Sequence, residues 1–139
     1  MPDSEDCIFC KIIAGDLPGE IVDSDEHTVA FMDINPATPG HALVVPRAHS
    51  ADLMEVADRD LEATNAAARR LAARMDETLE PDGFNLLNCC RPAAWQTVFH
   101  FHVHVIPRYE DDPLELPWIP EGGEASEIAT LARRIRGEA

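Results

Sequence analysis

The stretch Val98-Phe-His-Phe-His-Val-His-Val-Ile106 constrains this chain more than any other. Side chains of a β-strand alternate between its two faces. His100, His102 and His104 therefore share one face, while Phe101, Val103 and Val105 share the other. The apolar face belongs to a core. The opposite face is a row of imidazoles, spaced roughly 6–7 Å apart by the rise of the strand. Near neutral pH an imidazole serves as nucleophile, proton carrier or metal ligand. Three of them at alternate positions of an apolar strand are hard to explain as packing. From the residues alone a three-histidine catalytic zinc stays open, although neighbours on a straight strand reach one ion only with distortion.

Around this strand the chain reads as α+β, an antiparallel sheet of about five strands with helices on one side. The other strands are expected at Glu20–Asp23, Thr28–Asp33, His41–Pro46 and Phe84–Leu87, and the histidine strand at His100–Ile106 ends before Pro107. Cys7–Gly15 reads as a short amphipathic helix capped by Asp6 and stopped by Gly15. Ser50 is expected to cap a turn through Met54, and Asp58 a longer helix whose apolar positions Leu61, Ala68, Leu71, Met75 and Leu79 follow a 3.6-residue period. Residues 110–123 hold five acids, three prolines and two glycines, which predicts a surface loop before a C-terminal helix in 124–139. Nothing separates the 139 residues into parts, so a single domain spanning 1–139 is expected.

Composition narrows the partners. The formal net charge is −15, which at long range repels nucleic-acid polymers and anionic membrane surfaces. No apolar run reaches the ~18 residues of a membrane span. The acidic start, Met1-Pro2-Asp3-Ser4-Glu5-Asp6, lacks the basic and apolar regions of a secretory signal, so a cytoplasmic location is expected. Lys11 is the only lysine beside ten arginines, which suits a high-salt (halophilic) cytoplasm or, equally simply, a GC-rich genome.

Several ordered motifs resemble those of the histidine triad (HIT) superfamily. They are Gln96-Thr-Val-Phe-His-Phe-His-Val-His-Val105, Ile8-Phe-Cys-Lys-Ile-Ile13, Phe31-Met-Asp-Ile34 before Pro36, Pro39-Gly-His-Ala-Leu-Val-Val-Pro46, and Ile106-Pro-Arg108. The resemblance implies a homodimer with the sheet extended across it, and a nucleotide hydrolase or transferase acting at the α-phosphorus. The implied substrate is a purine nucleoside phosphoramidate or a dinucleoside polyphosphate. His102 would be the nucleophile that forms a nucleotidyl-histidine intermediate, with His100 and His104 orienting it and holding the phosphate. Gln96, Thr97 and Asn88 would donate hydrogen bonds to phosphate oxygens or the leaving group. His41 would support the triad from beneath, or be an ordinary hydrogen-bonded core histidine. Asp33 would accept from the ribose, and Phe9, Ile12, Phe31, Ile34 and Val98 would line the base slot, though the aromatic and aliphatic residues among them are equally ordinary core. No organic cofactor is implied. A nucleotide-binding or sensing protein with negligible turnover is the alternative, and a metal-binding regulator a more distant one.

Cys7-Ile-Phe-Cys10 places two thiols one helical turn apart, which fits metal ligation, redox chemistry or simple burial. By resemblance, Cys7, Cys10, His49 and His100 would hold one structural zinc per protomer. The vicinal pair Cys89-Cys90 reads as structural. Trp95 departs from the resemblance, since many relatives have a glycine before the glutamine. It would either narrow the leaving-group side or cap the sheet edge.

Overall fold

The computed structural model describes residues 5–138; the expectations for Met1–Ser4 and Ala139 fall outside them. The elements run α1 (Ile8–Ala14), β1 (Ile21–Ser24), β2 (Thr28–Met32), β3 (Ala42–Pro46), α2 (Asp58–Leu79), β4 (Gly83–Leu87), a 3-10 turn (Pro92–Ala94), β5 (Val103–Arg108) and α3 (Ala125–Ile135). The strands form one antiparallel sheet in the order β1-β2-β3-β5-β4. The α+β class and the five strands are those the sequence predicts.

The placing of the helices is not. They do not share one side of the sheet. On one face α2 packs Ala67, Ala68, Leu71 and Met75 against Ala30, Ala42, Val44, Phe101, Val103 and Val105. On the other, Cys7 and Phe9 from the start of α1 cover Val29, Phe31, Leu43 and Val45. Strands β2 and β3 are buried on both faces, so their side chains alternate between two cores, and a run such as Ala42-Leu-Val-Val45 is apolar throughout. The α1 side has little beyond Phe9 to fill it, so it stays partly open beside β5.

Three capping expectations also change. Cys7, not Asp6, caps α1, its Sγ accepting from Cys10 N–H at 3.4 Å. Ala57 is the cap position of α2, with Asp58 inside the first turn. The turn after Ser50 is held by Asp52 Oδ1, which accepts from the N–H groups of Met54 and Glu55. At the other end of α1, Gly15 adopts a φ of 85° and its N–H returns to Ile12 O and Lys11 O, as a left-handed helix stop requires.

The histidine strand begins later than alternation alone suggests. Its ladder with β3 starts at the pair Val44↔Val103, and extending that register would set Phe101 opposite Pro46. Proline has no N–H to give, so the ladder cannot continue there. The backbone of 100–102 bonds elsewhere instead. Phe101 N–H donates to Ser50 O at 2.8 Å, and His102 O accepts from Asn88 Nδ2 at 2.9 Å. The alternation of faces nonetheless holds: Phe101, Val103 and Val105 lie under α2. At the end of β5, Arg108 makes a bidentate pair with Asp112 and also donates to Asn85 Oδ1, which ties the start of the acidic segment to β4. Among the described residues no helix is long and apolar enough to cross a membrane.

Phe101 is the largest fully buried apolar side chain and plugs the α2 core directly behind the histidines. Phe101→Ala should therefore cost about 3–5 kcal/mol of stability. Urea unfolding measures this; a loss below about 1 kcal/mol would show that the core does not depend on it.

Candidate active site and metal centre

His41, His100 and His102 are each oriented by a backbone group and His104 by His41, and these partners fix where each proton sits. A carbonyl oxygen only accepts and a backbone N–H only donates. His102 Nδ1 lies 2.7 Å from His100 O, so Nδ1 carries the hydrogen and Nε2 keeps a bare lone pair. His41 Nδ1 accepts from Ala37 N–H at 2.9 Å, so the proton of neutral His41 is on Nε2. That Nε2–H points at His104 Nδ1, 2.9 Å away. His104 must then carry its own hydrogen on Nε2. His100 Nε2 donates to Pro46 O at 2.7 Å, which leaves Nδ1 as its free ligand atom.

The surroundings keep these rings neutral. Burial pushes His102 below the usual imidazole value, opposed by its bond to the His100 carbonyl and by the Asp33 charge. Burial, then His102 and His41, push His104 down to about 4. Burial lowers His41 as well, against the pull of Asp33, whose Oδ2 is 3.5 Å from His41 Nε2. His102 is thus an uncharged imidazole with an available nitrogen at neutral pH, which is the form able to act as a nucleophile. Phe9 meets its ring edge-on, centroids 5.1 Å apart and planes at 90°, and restricts its rotation.

His102 and His104 open onto a cavity of about 450 Å³ beside α1. Phe9, Ile12, Phe31, Asp33, Ile34, Thr97 and Val98 also line it. Ile34 is 90% exposed, so it stands at the rim and does not form an inner wall. Thr97 is exposed on the cavity side. The remaining predicted residues are not on the cavity wall. Gln96 is buried, its Nε2 donating to Ala51 O and Val98 O and its Oε1 accepting from Arg91 N–H. In this conformation it holds the loop and has no amide hydrogen aimed at a ligand. Asn88 spends its amide on His102 O, so it positions the histidine backbone. His41 and His100 act through His104 and the cysteines respectively. Sequence reasoning missed Ile8, Leu17 and Leu43 on the wall. Leu43 was findable, since it pairs with His104 across β3 and β5 and so shares its face. Ile8 and Leu17 carry no such signal.

The second cluster joins α1 to this strand. Cys7 Sγ and Cys10 Sγ lie 3.4 and 3.5 Å from His100 Nδ1. His49 Nδ1 lies 3.5 Å from Cys10 Sγ and 3.3 Å from His100 Nδ1. A tetrahedral zinc with bonds of ~2.0–2.3 Å has ligand–ligand edges of roughly 3.3–3.8 Å, so the four atoms fit such an ion. Burial and the adjoining Cys7 sulfur push the Cys10 thiol up to about 11, so thiolates here need a cation beside them. The other three-residue group with converging ligand atoms, Asp33, His41 and His104, fits a metal poorly. His41 Nδ1 already accepts an N–H, so a metal on Nε2 would require an imidazolate. The three triad histidines do not form a group of converging ligand atoms among the described residues.

The fold and site together define an α+β protein with a neutral histidine beside an apolar cleft and a Cys₂His₂ cluster behind it. The chain belongs to the HIT family: the HIT domain model matches residues 14–111. It is 45% identical over 106 residues to protein hit of Bacillus subtilis, covering 76% of this chain and 73% of that protein. It is 33% identical over 138 residues to adenylylsulfatase HINT3 of Arabidopsis thaliana, covering 93% of this chain and 68% of that protein. A zinc-bound histidine triad family protein from Mycobacterium smegmatis superposes with a TM-score of 0.77 at 36% identity, covering 98% of this chain and all (100%) of that one. The family includes nucleotide hydrolases.

The proton assignment is directly measurable. Nitrogen-15 correlation spectra at pH 7 should show His102 as the neutral Nδ1–H tautomer and His104 as the neutral Nε2–H tautomer. The reverse tautomer at His102, or an imidazolium there, would contradict the orientation by His100 O.

Proposed function

We propose that this protein hydrolyses a purine nucleotide at its α-phosphorus through a nucleotidyl-His102 intermediate. The substrate is a nucleoside phosphoramidate or a dinucleoside polyphosphate. The observation that carries the reading is the bare Nε2 of a neutral His102, held at the wall of a cleft that also offers Asp33 and His104. The adenylylsulfatase among the relatives supports an adenylyl group as the portion retained.

Catalysis follows from that arrangement. The base enters between Phe9, Ile12, Phe31 and Val98, with Ile34 at the rim, and the ribose hydroxyls donate to Asp33. His102 Nε2 attacks phosphorus, its bond to the leaving nitrogen or oxygen breaks, and the departing group takes the electron pair and a proton from solvent. The Nδ1–H bond to His100 O steadies the positive charge that appears on the His102 ring. His104 donates its Nε2–H to a phosphate oxygen, where charge builds in the transition state. His41 holds His104 in the tautomer that allows this. Thr97 supplies a second donor at the cavity edge. Water then cleaves the phosphorus–nitrogen bond to His102, releasing the nucleoside monophosphate and restoring the ring. Gln96 and Asn88 are positioning residues in this scheme, one fixing the loop and the other the His102 carbonyl.

One structural zinc is assigned to Cys7, Cys10, His49 and His100. When bound it supplies cross-linking only, tying α1, and with it Phe9, to the catalytic segment. A homodimer is part of the reading, supported by the exposed apolar residues Leu116, Trp118, Ile119, Ile128 and Ile135 of the C-terminal segment. A high-salt cytoplasm is the setting proposed for the net charge of −15.

His102→Ala should lower turnover of adenosine phosphoramidate at least ~10⁴-fold, while AMP binding, read by calorimetry, stays within a few-fold. Retained turnover would overturn the mechanism. Protein purified without chelator should contain zinc at one ion per chain, and Cys10→Ser should lose it and melt at a lower temperature. Metal-free wild type with an unchanged melting temperature would refute the zinc assignment.

A further inference from the structure

Trp95 is the feature of the site that the mechanism does not use. It is 65% exposed on the cavity rim, and its side chain takes no part in any hydrogen bond, ring contact or core cluster among the described residues. An idle surface tryptophan would by itself mean little. Its backbone makes the difference. Trp95 sits at φ 76°, ψ 17°, a left-handed conformation that glycine adopts freely and a residue with a Cβ resists. At the other end of the same turn, Arg91 sits at φ 77°, ψ 156°, a region almost confined to glycine.

The loop is forced into this shape by bonds from both sides. Trp95 N–H donates to Pro92 O at 3.0 Å, and Arg91 N–H donates to Gln96 Oε1 at 2.7 Å. Gln96 Nε2 anchors the whole turn to Ala51 O and Val98 O. Strain held this firmly at a cavity edge is a mark of a functional position. What it presents there is an open indole face. The exposure also argues against a plug, since a ring that narrowed the cleft would itself be covered.

The sheet order says which part of a substrate meets that face. Phe31, Asp33 and Leu43, the groups suited to a nucleoside, come from β2, β3 and the loop after β2, on one side of β5. Trp95 comes from the β4–β5 connection, and β4 lies on the other side of β5. A nucleoside lying along β2 and β3, with its phosphorus at His102, directs the group opposite the attacking nitrogen away from that side and out towards solvent. Trp95 and Thr97 are the walls left to it.

We propose that Trp95 is a specificity-determining residue that stacks on a planar aromatic leaving group. This rests on the hydrolase reading above. An aromatic face favours flat π-systems over aliphatic groups of similar size without demanding a hydrogen-bond pattern. The shared chemistry is met by an aromatic amine bonded directly to the α-phosphorus or by the base of a second nucleoside at the end of a polyphosphate.

The test uses the full chain and three substrates: the benzylamine and cyclohexylmethylamine phosphoramidates of AMP, matched in size, and a diadenosine polyphosphate; because benzylamine is the less basic leaving group, each substrate is compared between wild type and variant. If the partner is an aromatic-ring amine, wild type should prefer the benzyl substrate by kcat/KM. Trp95→Ala should lose about tenfold on the aromatic substrate whose leaving group reaches the indole and less than about twofold on the cyclohexylmethyl one. Trp95→Phe should keep most of the preference. A loss on the benzyl compound identifies the aromatic amine as the partner, and a loss on the dinucleotide alone identifies the second base. Equal losses on all three substrates, no loss at all, or a weakened affinity for AMP would overturn the proposal. Trp95→Gly should melt no lower than wild type, because glycine suits the backbone; a lower melting temperature would assign Trp95 to the fold instead. If wild type turns over none of the substrates, the hydrolase reading fails. The stacking is then read from binding: wild type should hold the intact benzyl amidate about tenfold tighter than AMP, and Trp95→Ala should lose that difference alone. Equal affinities would sink it independently.

Discussion

Everything at this site depends on the two-sidedness of residues 100–105. Burying Phe101, Val103 and Val105 under α2 leaves His100, His102 and His104 no choice but the opposite face. There the rings meet a thin layer, Phe9 and the start of α1, in place of a full core. A slip of one residue would bury three imidazoles beneath α2 and expose Phe101. The hydrophobic effect on one face therefore sets the position of the chemistry on the other.

A second constraint operates within that face. The three rings look alike in sequence but take three different jobs, because each leans on a different polar group. Pro46 O turns the ligand nitrogen of His100 towards the cysteines. His100 O turns the lone pair of His102 towards the cleft. His41, itself fixed by Ala37 N–H, sets His104 as a donor. Two of these three partners are backbone carbonyls. The proline that stops the β3–β5 ladder is thus also the one whose carbonyl orients the first histidine. Freed from the ladder, the backbone of 100–102 can bond to Asn88, Ser50 and the His102 ring.

This explains what the sequence made legible. The class, the strands, α2 and the two-faced histidine strand follow from periodicity and residue type, which are local properties, whereas the Cys₂His₂ grouping comes only from the resemblance to the HIT superfamily. The placement of α1 on the far face from α2 does not, since apolar β2 and β3 are equally satisfied by one covered face or two. The resemblance implies Gln96 and Asn88 as phosphate donors, a role their amides are chemically able to fill. That their hydrogens go to Ala51, Val98 and His102 carbonyls is decided by the folding of the 88–98 connection, which no periodicity records. The cap at Cys7 was hidden for a similar reason: a thiol is a weak acceptor, and it caps α1 while sitting in the metal cluster. Trp95 stood out in sequence only as a departure from glycine. Its left-handed backbone is one that glycine adopts freely.

The net charge of −15 bears on the setting more than on the chemistry. The cleft itself is apolar and imidazole, with Asp33 as its one acidic residue among the lining groups, so short-range contacts rather than the global field govern what enters it. The central claim is that His102 becomes covalently bonded to the nucleotide. Quenching the enzyme in alkaline denaturant during turnover of an adenosine phosphoramidate, followed by mass spectrometry at alkaline pH of the peptide spanning 99–108, detects that acid-labile bond. An adenylyl group is expected on His102. Turnover with that peptide unmodified, or with the adduct on His100 or His104, would contradict it.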